Sequence, residues 1–187
     1  MSLGDEADEQ TSALRAVAHP VRLQILSLLT GAAMSAAEIA RELDITQANA
    51  SYHVRVLARS GHVQEVGTES VRGGVAKKYA YLSEADRAAR GGSGGSTFDP
   101  GDWQLQIEAI AQELRRRIRD RKPGGKGNIT DAELWVTPEV WGKVASLVHE
   151  ASALVHQEAQ RPRAEGTIKV NMQAFLFEMN DDTKAAR

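Results

Sequence analysis

Gln47, Asn49, Ser51, Tyr52, Arg55 and Arg59 lie on one short stretch of chain, and every one of them carries a hydrogen-bonding or cationic side chain. Carboxamides suit the paired donor and acceptor of an adenine edge, and hydroxyls can donate or accept. Guanidiniums suit guanine or a phosphate. Arg72, Lys77 and Lys78 supply a second cationic group further along. This is the chemistry of nucleic-acid contact and not of bond-breaking. The chain has no Gly-rich phosphate loop, no GxSxG, no HExxH and no paired-carboxylate motif. It also has no Cys, which excludes disulfides, thiolate metal sites and Cys nucleophiles. No catalytic residue, cofactor or enzymatic activity is expected.

The elements that must position these residues can be read from local signals. His19-Pro20 starts a helix, because Pro fits a first turn and not a helix interior. Leu23, Ile25, Leu26, Leu28 and Leu29 make that helix apolar on more than one side, as a central core helix should be, and Gly31 ends it. Thr11 or Ser12 could cap a shorter helix before it. Ser35 with Glu38 is a capping box opening a helix over 36–43. Thr46 caps the next helix, which runs to Ser60 and stops at Gly61. Within it Ala50, Val54 and Leu57 form the core stripe, leaving the polar set on the other faces. The period then changes to alternation. Residues 62–66 and 76–81 read as two strands joined by a hairpin containing Gly67, Gly73 and Gly74.

Helix, turn, helix and basic hairpin in that order describe a winged helix-turn-helix. A lone polar helix face could be mere solvated surface, but this context favours double-stranded DNA as the partner. RNA fits less well, since an A-form major groove is too narrow for a helix. A winged helix serving a protein partner is the competing class, and an apolar or acidic recognition face would mark it. The overall charge of −2 does not oppose DNA, because residues 14–82 carry 8 basic and 5 acidic side chains. No apolar run approaches the roughly 20 residues of a membrane helix, so the cytoplasm is the expected location.

The segments AHPVRLQIL (18–26), EIAREL (38–43) and ASYHVRVL (50–57), continued by Ser60-Gly61-His62-Val63, resemble the ArsR-type winged-helix transcription regulators. The resemblance covers about residues 11–82. It implies a homodimer, usually a repressor, whose two recognition helices enter successive major grooves of a palindromic operator. It also implies that Gln47, Asn49, Ser51 and Tyr52 read bases and that His53 packs beneath the helix. Many such regulators sense metals, one class through paired Cys where this chain has Ser35-Ala36-Ala37-Glu38. His149 and His156 are the nearest candidates for a second class. They sit two turns or about 10 Å apart on an exposed helix face, too far to share an ion within a chain. No metal site is expected.

Gly91-Gly92-Ser93-Gly94-Gly95-Ser96 is a flexible tract, dividing a DNA-binding domain (11–82) from a linker (83–102) and a C-terminal unit (103–179). In that unit Trp103, Ile107, Ile110, Leu114 and Ile118 share one helix face, which the family resemblance implies is a dimer interface. Arginines at 115, 116, 117, 119 and 121 lie mostly on other faces, where a solvated cationic end is favoured over contact with flanking DNA. Residues 133–136 predict a strand, 138–160 a helix capped by Thr137, and 166–179 a long alternating strand. The expected class is mainly α with small β: a winged helix-turn-helix, a dimerisation helix and a small β-α-β layer. Trp135, Phe175 and Phe177 fall on its outer face, covered either by a dimer partner or the 103–121 helix, or else lining a small-molecule effector pocket. Residues 181–187 read as a frayed tail.

Overall fold

The computed structural model describes residues 15–71, 74–83 and 100–180. The cap at Thr11 or Ser12, Arg72, Gly73, the Gly91–Ser96 tract and the 181–187 tail lie outside the described residues. The fold is a winged helix-turn-helix extended at its C-terminal side. Its elements are α1 (Pro20–Gly31), β1 (Met34–Ser35), α2 (Ala36–Leu43), α3 (Gln47–Arg59), β2 (Val63–Val71), β3 (Gly74–Tyr81), α4 (Pro100–Arg119) and α5 (Pro138–Gln157).

Local signals start and stop the first helices where their chemistry directs. His19 caps α1, its Nδ1 accepting from the Val21 N–H at 3.2 Å, and Pro20 fills the first position. Ser35 and Glu38 close a reciprocal capping box on α2. Thr46 Oγ1 accepts from the Asn49 N–H at 3.2 Å and begins α3. Gly61, at φ +72°, turns the chain out of that helix into the wing. Ile25, Leu29, Ile39, Ala50, Val54 and Leu57 are buried together, so α1, α2 and α3 share one core. The stripe expected on α3 is therefore the buried one.

The sheet is antiparallel in the order β1-β3-β2. β2 and β3 run longer than the sequence indicates, and a bulge between Glu65 and Gly67 kinks the wing. β1 was not predicted. It is two residues long, and its register with Tyr79 and Lys78 of β3 exists only once the chain has folded back.

α4 docks on α1 through a face about 120° from the centre of the predicted stripe. Ala109 and Glu113 are the buried residues, whereas Ile107 and Ile118 remain exposed. Glu113 accepts from Gln24 Nε2 on α1 and from Arg116 Nη2 at 2.9 Å on its own helix. The α5 helix forms as predicted, with Thr137 Oγ1 accepting from the Val140 N–H at 3.3 Å. The predicted β-α-β layer does not form. Residues 133–136 and 166–179 belong to no strand, because a strand needs a ladder partner and the described chain gives neither segment one. The chain after α5 instead returns to the winged helix by scattered contacts. Gln160 backbone lies where a Cβ on Gly31 would be, and Arg163 pairs with Glu42 at 2.9 Å. Arg117 also donates to Asn171 Oδ1 at 3.0 Å. No helix among the described residues is long and apolar enough to cross a membrane.

Candidate nucleic-acid interface

The core stripe of α3 fixes which side of it meets solvent. With Ala50, Val54 and Leu57 wholly buried, Thr46, Gln47, Asn49, Tyr52, Arg55 and Arg59 are exposed and Ser51 is half-buried. The solvent-facing side of α3, about 200° of its circumference, therefore carries the carboxamides, hydroxyls and guanidiniums marked in the sequence. Arg55 Nε donates to the Ser51 carbonyl at 3.2 Å, which steers the guanidinium while leaving its two terminal amino groups for an anion. Tyr52, 54% exposed, sets its ring edge-on to His53 at 5.2 Å.

His53 lies beneath this face. It is buried and stacks on His19 at 4.7 Å, so two imidazoles connect the reading helix to the start of α1. Burial first, then His19 and Arg22, lowers the His53 pKa. Burial and Arg22 lower that of His19. A neutral His19 is what its cap requires, since Nδ1 must accept the Val21 N–H. His53 is thus a packing residue beneath the helix, the role the family resemblance implied.

The two wing lysines are not equivalent. Lys77 meets Glu65 at 2.8 Å, both side chains being well exposed. Such a pair is worth little and leaves Lys77 free to exchange its partner for a phosphate. Lys78 is mostly covered and sits 2.6 Å from Glu38 and 2.8 Å from Glu69. It ties the wing to the capping box of α2 instead of pointing at solvent. Burial alone would raise the Glu38 pKa, but hydrogen bonds from Lys78 and from the Ser35 backbone and hydroxyl bring it down to about 2.

A carboxyl depressed in the folded state stabilises it above the unfolded pKa, and that contribution fades as pH falls through the folded value. Glu38→Gln should therefore cost about 1–2 kcal/mol at pH 7, after discounting for the partial exposure of the pair. The difference from wild type should shrink from about pH 4.5 to pH 2. Urea unfolding of both proteins across that range measures it. A gap independent of pH would mean that packing, not charge, holds the wing.

Two guanidiniums near this face were not marked in the sequence as contact residues. Arg15 and Arg22 stand beside Arg59 in a shallow cleft between α1 and the end of α3. No local pattern could reveal this, because only the packing of α1 on α3 joins positions so far apart in the chain. Three His, Asp or Glu side chains placed to hold a metal do not occur among the described residues.

The comparisons with known proteins bear on the same segment. No curated protein matches the chain. Residues 17–61 match a family model described as a helix-turn-helix domain, and these residues span α1, α2 and α3. With the sheet that follows, they make a helix-turn-helix domain of the kind DNA-binding regulators carry.

Proposed function

We propose that the chain is a sequence-specific transcription regulator of the ArsR type, a homodimer that binds a palindromic operator and acts as a repressor. The observation that carries this reading is the exposed polar face of α3, held rigidly by a buried stripe on its other side. Thr46, Gln47, Asn49, Ser51 and Tyr52 read base edges from the first turns, while Arg55 and Arg59 hold phosphates. Lys77 and Arg72 contact an adjacent groove or its backbone. Lys78 keeps the wing in place. Repression follows from occupancy, since a dimer seated on a promoter excludes polymerase.

A second copy of the chain accounts for the apolar surface of the C-terminal unit. α5 has 20 residues and buries none of them. Val140, Val144, Leu147, Ala151 and Leu154 lie within about 80° of one another around the helix and are exposed. An amphipathic helix gains most of its stability from packing that face. The half-exposed stripe of α4 and the exposed side chains Trp135, Phe175 and Phe177 add further uncovered apolar surface to this unit. Covering by the partner is preferred to a small-molecule effector pocket, because an exposed apolar helix face suits another helix better than a small ligand.

Contact residues separate by their effects. Gln47→Ala should cost about 1–3 kcal/mol at one base pair and leave the salt dependence unchanged. Arg55→Gln should weaken all sequences alike and reduce the salt slope by about 1. Anisotropy on matched and scrambled duplexes at several salt concentrations measures both. If Arg55→Glu leaves DNA affinity untouched, the winged helix serves a protein partner instead.

A further inference from the structure

The cleft between α1 and the C-terminal end of α3 has a volume of about 430 Å³ and is lined by Arg15, Ala16, Arg22, Val56, Arg59 and Ser60. Three of its six lining residues are arginines, and none is an acid. Arg22 Nη2 donates to the Arg15 backbone carbonyl at 3.0 Å, which holds the Arg22 guanidinium against the chain at Arg15. Arg22 Nε is buried and has no hydrogen-bond partner. A buried, unpaired donor on a cation is costly and calls for an acceptor. The cleft is also continuous with the reading face. Arg59 lines both it and a neighbouring hollow formed with Tyr52, Arg55 and Ala58. A cationic strip thus runs from the exposed face of α3 over to the start of α1. The end of a helix opposes an anion with about half a negative charge, which three guanidiniums outweigh.

We infer that Arg15, Arg22 and Arg59 form a phosphate-binding cleft that holds a backbone phosphate of the duplex read by α3. The inference rests on the DNA-binding reading, and it adds an anchor on α1 outside the helix-turn-helix reading face. A dinegative or diester oxyanion suits it, because a guanidinium offers two parallel N–H donors to two oxygens. Anchoring through Arg22 also fixes the angle of α3 in the groove. Arg22 lies next to His19 and His53, and His53 packs under Tyr52. A phosphate contact there is therefore transmitted to a predicted base reader.

The test uses the full chain, with the Arg Nε–H signals followed by NMR during titration with a 30-base-pair duplex and, separately, with inorganic phosphate. Arg15→Gln, at an exposed position, and Arg22→Gln are measured by anisotropy against salt, with circular dichroism showing that each is folded. The expected result is a duplex-dependent shift of the Arg22 Nε–H. Each variant should lower affinity about 10–100-fold across all sequences and flatten the salt slope by about 2 per dimer, with base preference retained. If wild type binds no duplex but phosphate still shifts Arg22, the cleft stands as an anion site and the DNA-binding reading fails. If duplex binds but shifts neither Arg15 nor Arg22, while phosphate does, the anion is a free phosphate and the backbone assignment is overturned. If neither probe moves Arg22, or if both variants bind duplex with wild-type affinity and slope, the cleft binds no phosphate.

Discussion

Leu147→Glu combined with Leu154→Glu should split the proposed dimer into monomers and remove most of the operator affinity proposed for it. Both leucines point outward from α5, at 55% and 61% exposure in the single chain. Their replacement therefore disturbs little intrachain packing, and the monomer should remain folded. Burying a leucine contributes about 1.5–3 kcal/mol. A two-fold interface loses each contact twice, so four leucines are removed at once. Because each leucine is already partly covered in one chain, the dimer dissociation constant should rise by about 10³–10⁵-fold. A monomer reaches one half-site only, and losing the second should weaken operator binding by about 10²–10⁴-fold. Sedimentation reports the first effect as a fall to the 20.3 kDa of one chain. Circular dichroism confirms that the helices persist. A double variant that stays dimeric would place the interface elsewhere, with the α4 stripe as the next face to test.

The second large effect concerns Glu113. This carboxylate is 1% exposed, a rare position for an acid, and its neighbours explain how it is tolerated. Burial alone would raise its pKa. Hydrogen bonds from Arg116 and Gln24, with the charges of Arg116 and Arg117, lower it instead, so it is ionised at neutral pH. Removing one member of a buried, hydrogen-bonded set costs about 3–5 kcal/mol. Glu113→Ala should lie toward the lower end, because Arg116 can turn to solvent while the Gln24 amide is stranded. The loss should be local. Hydrogen exchange should show α4 losing protection, while the amides of α1 and α3 keep theirs. The wild-type advantage should be full above the unfolded carboxyl pKa, about 4.3, and diminish as pH falls below it. Unchanged protection of α4 would mean that Ala109 and its apolar neighbours hold this helix without the acid.

The sequence was most legible where the physics is local. His19-Pro20, the Ser35–Glu38 box, Thr46 and Gly61 each act within a few residues, and each begins or ends an element where expected. The reading face of α3 was legible for the same reason, since a buried stripe at helical spacing determines the opposite side. Partners distant in the chain were not legible. Nothing near Lys78 announces Glu38 forty residues earlier, so a cation of the wing looked free when it is engaged. Arg15, Arg22 and Arg59 meet only across the α1–α3 packing. Glu113 lies on the flank of an apolar stripe, and helical spacing alone says nothing of its contact with Gln24 on α1. The segments at 133–136 and 166–179 alternate as strands do, but alternation cannot supply a ladder partner. Their apolar side chains stay bare in one chain, which is what directs attention to a second copy.

The central claim is that α3 reads a specific duplex as half of a dimer. Selection from a random duplex library with the purified full chain, followed by anisotropy on the enriched sequences at several salt concentrations, tests it most directly. The expected result is a pair of inverted half-sites about one helical turn, or 10–11 base pairs, apart, bound far more tightly than random DNA and with a steep salt slope. Absence of enrichment, with weak binding that ignores sequence, would contradict it and leave the winged helix as a surface for a protein partner.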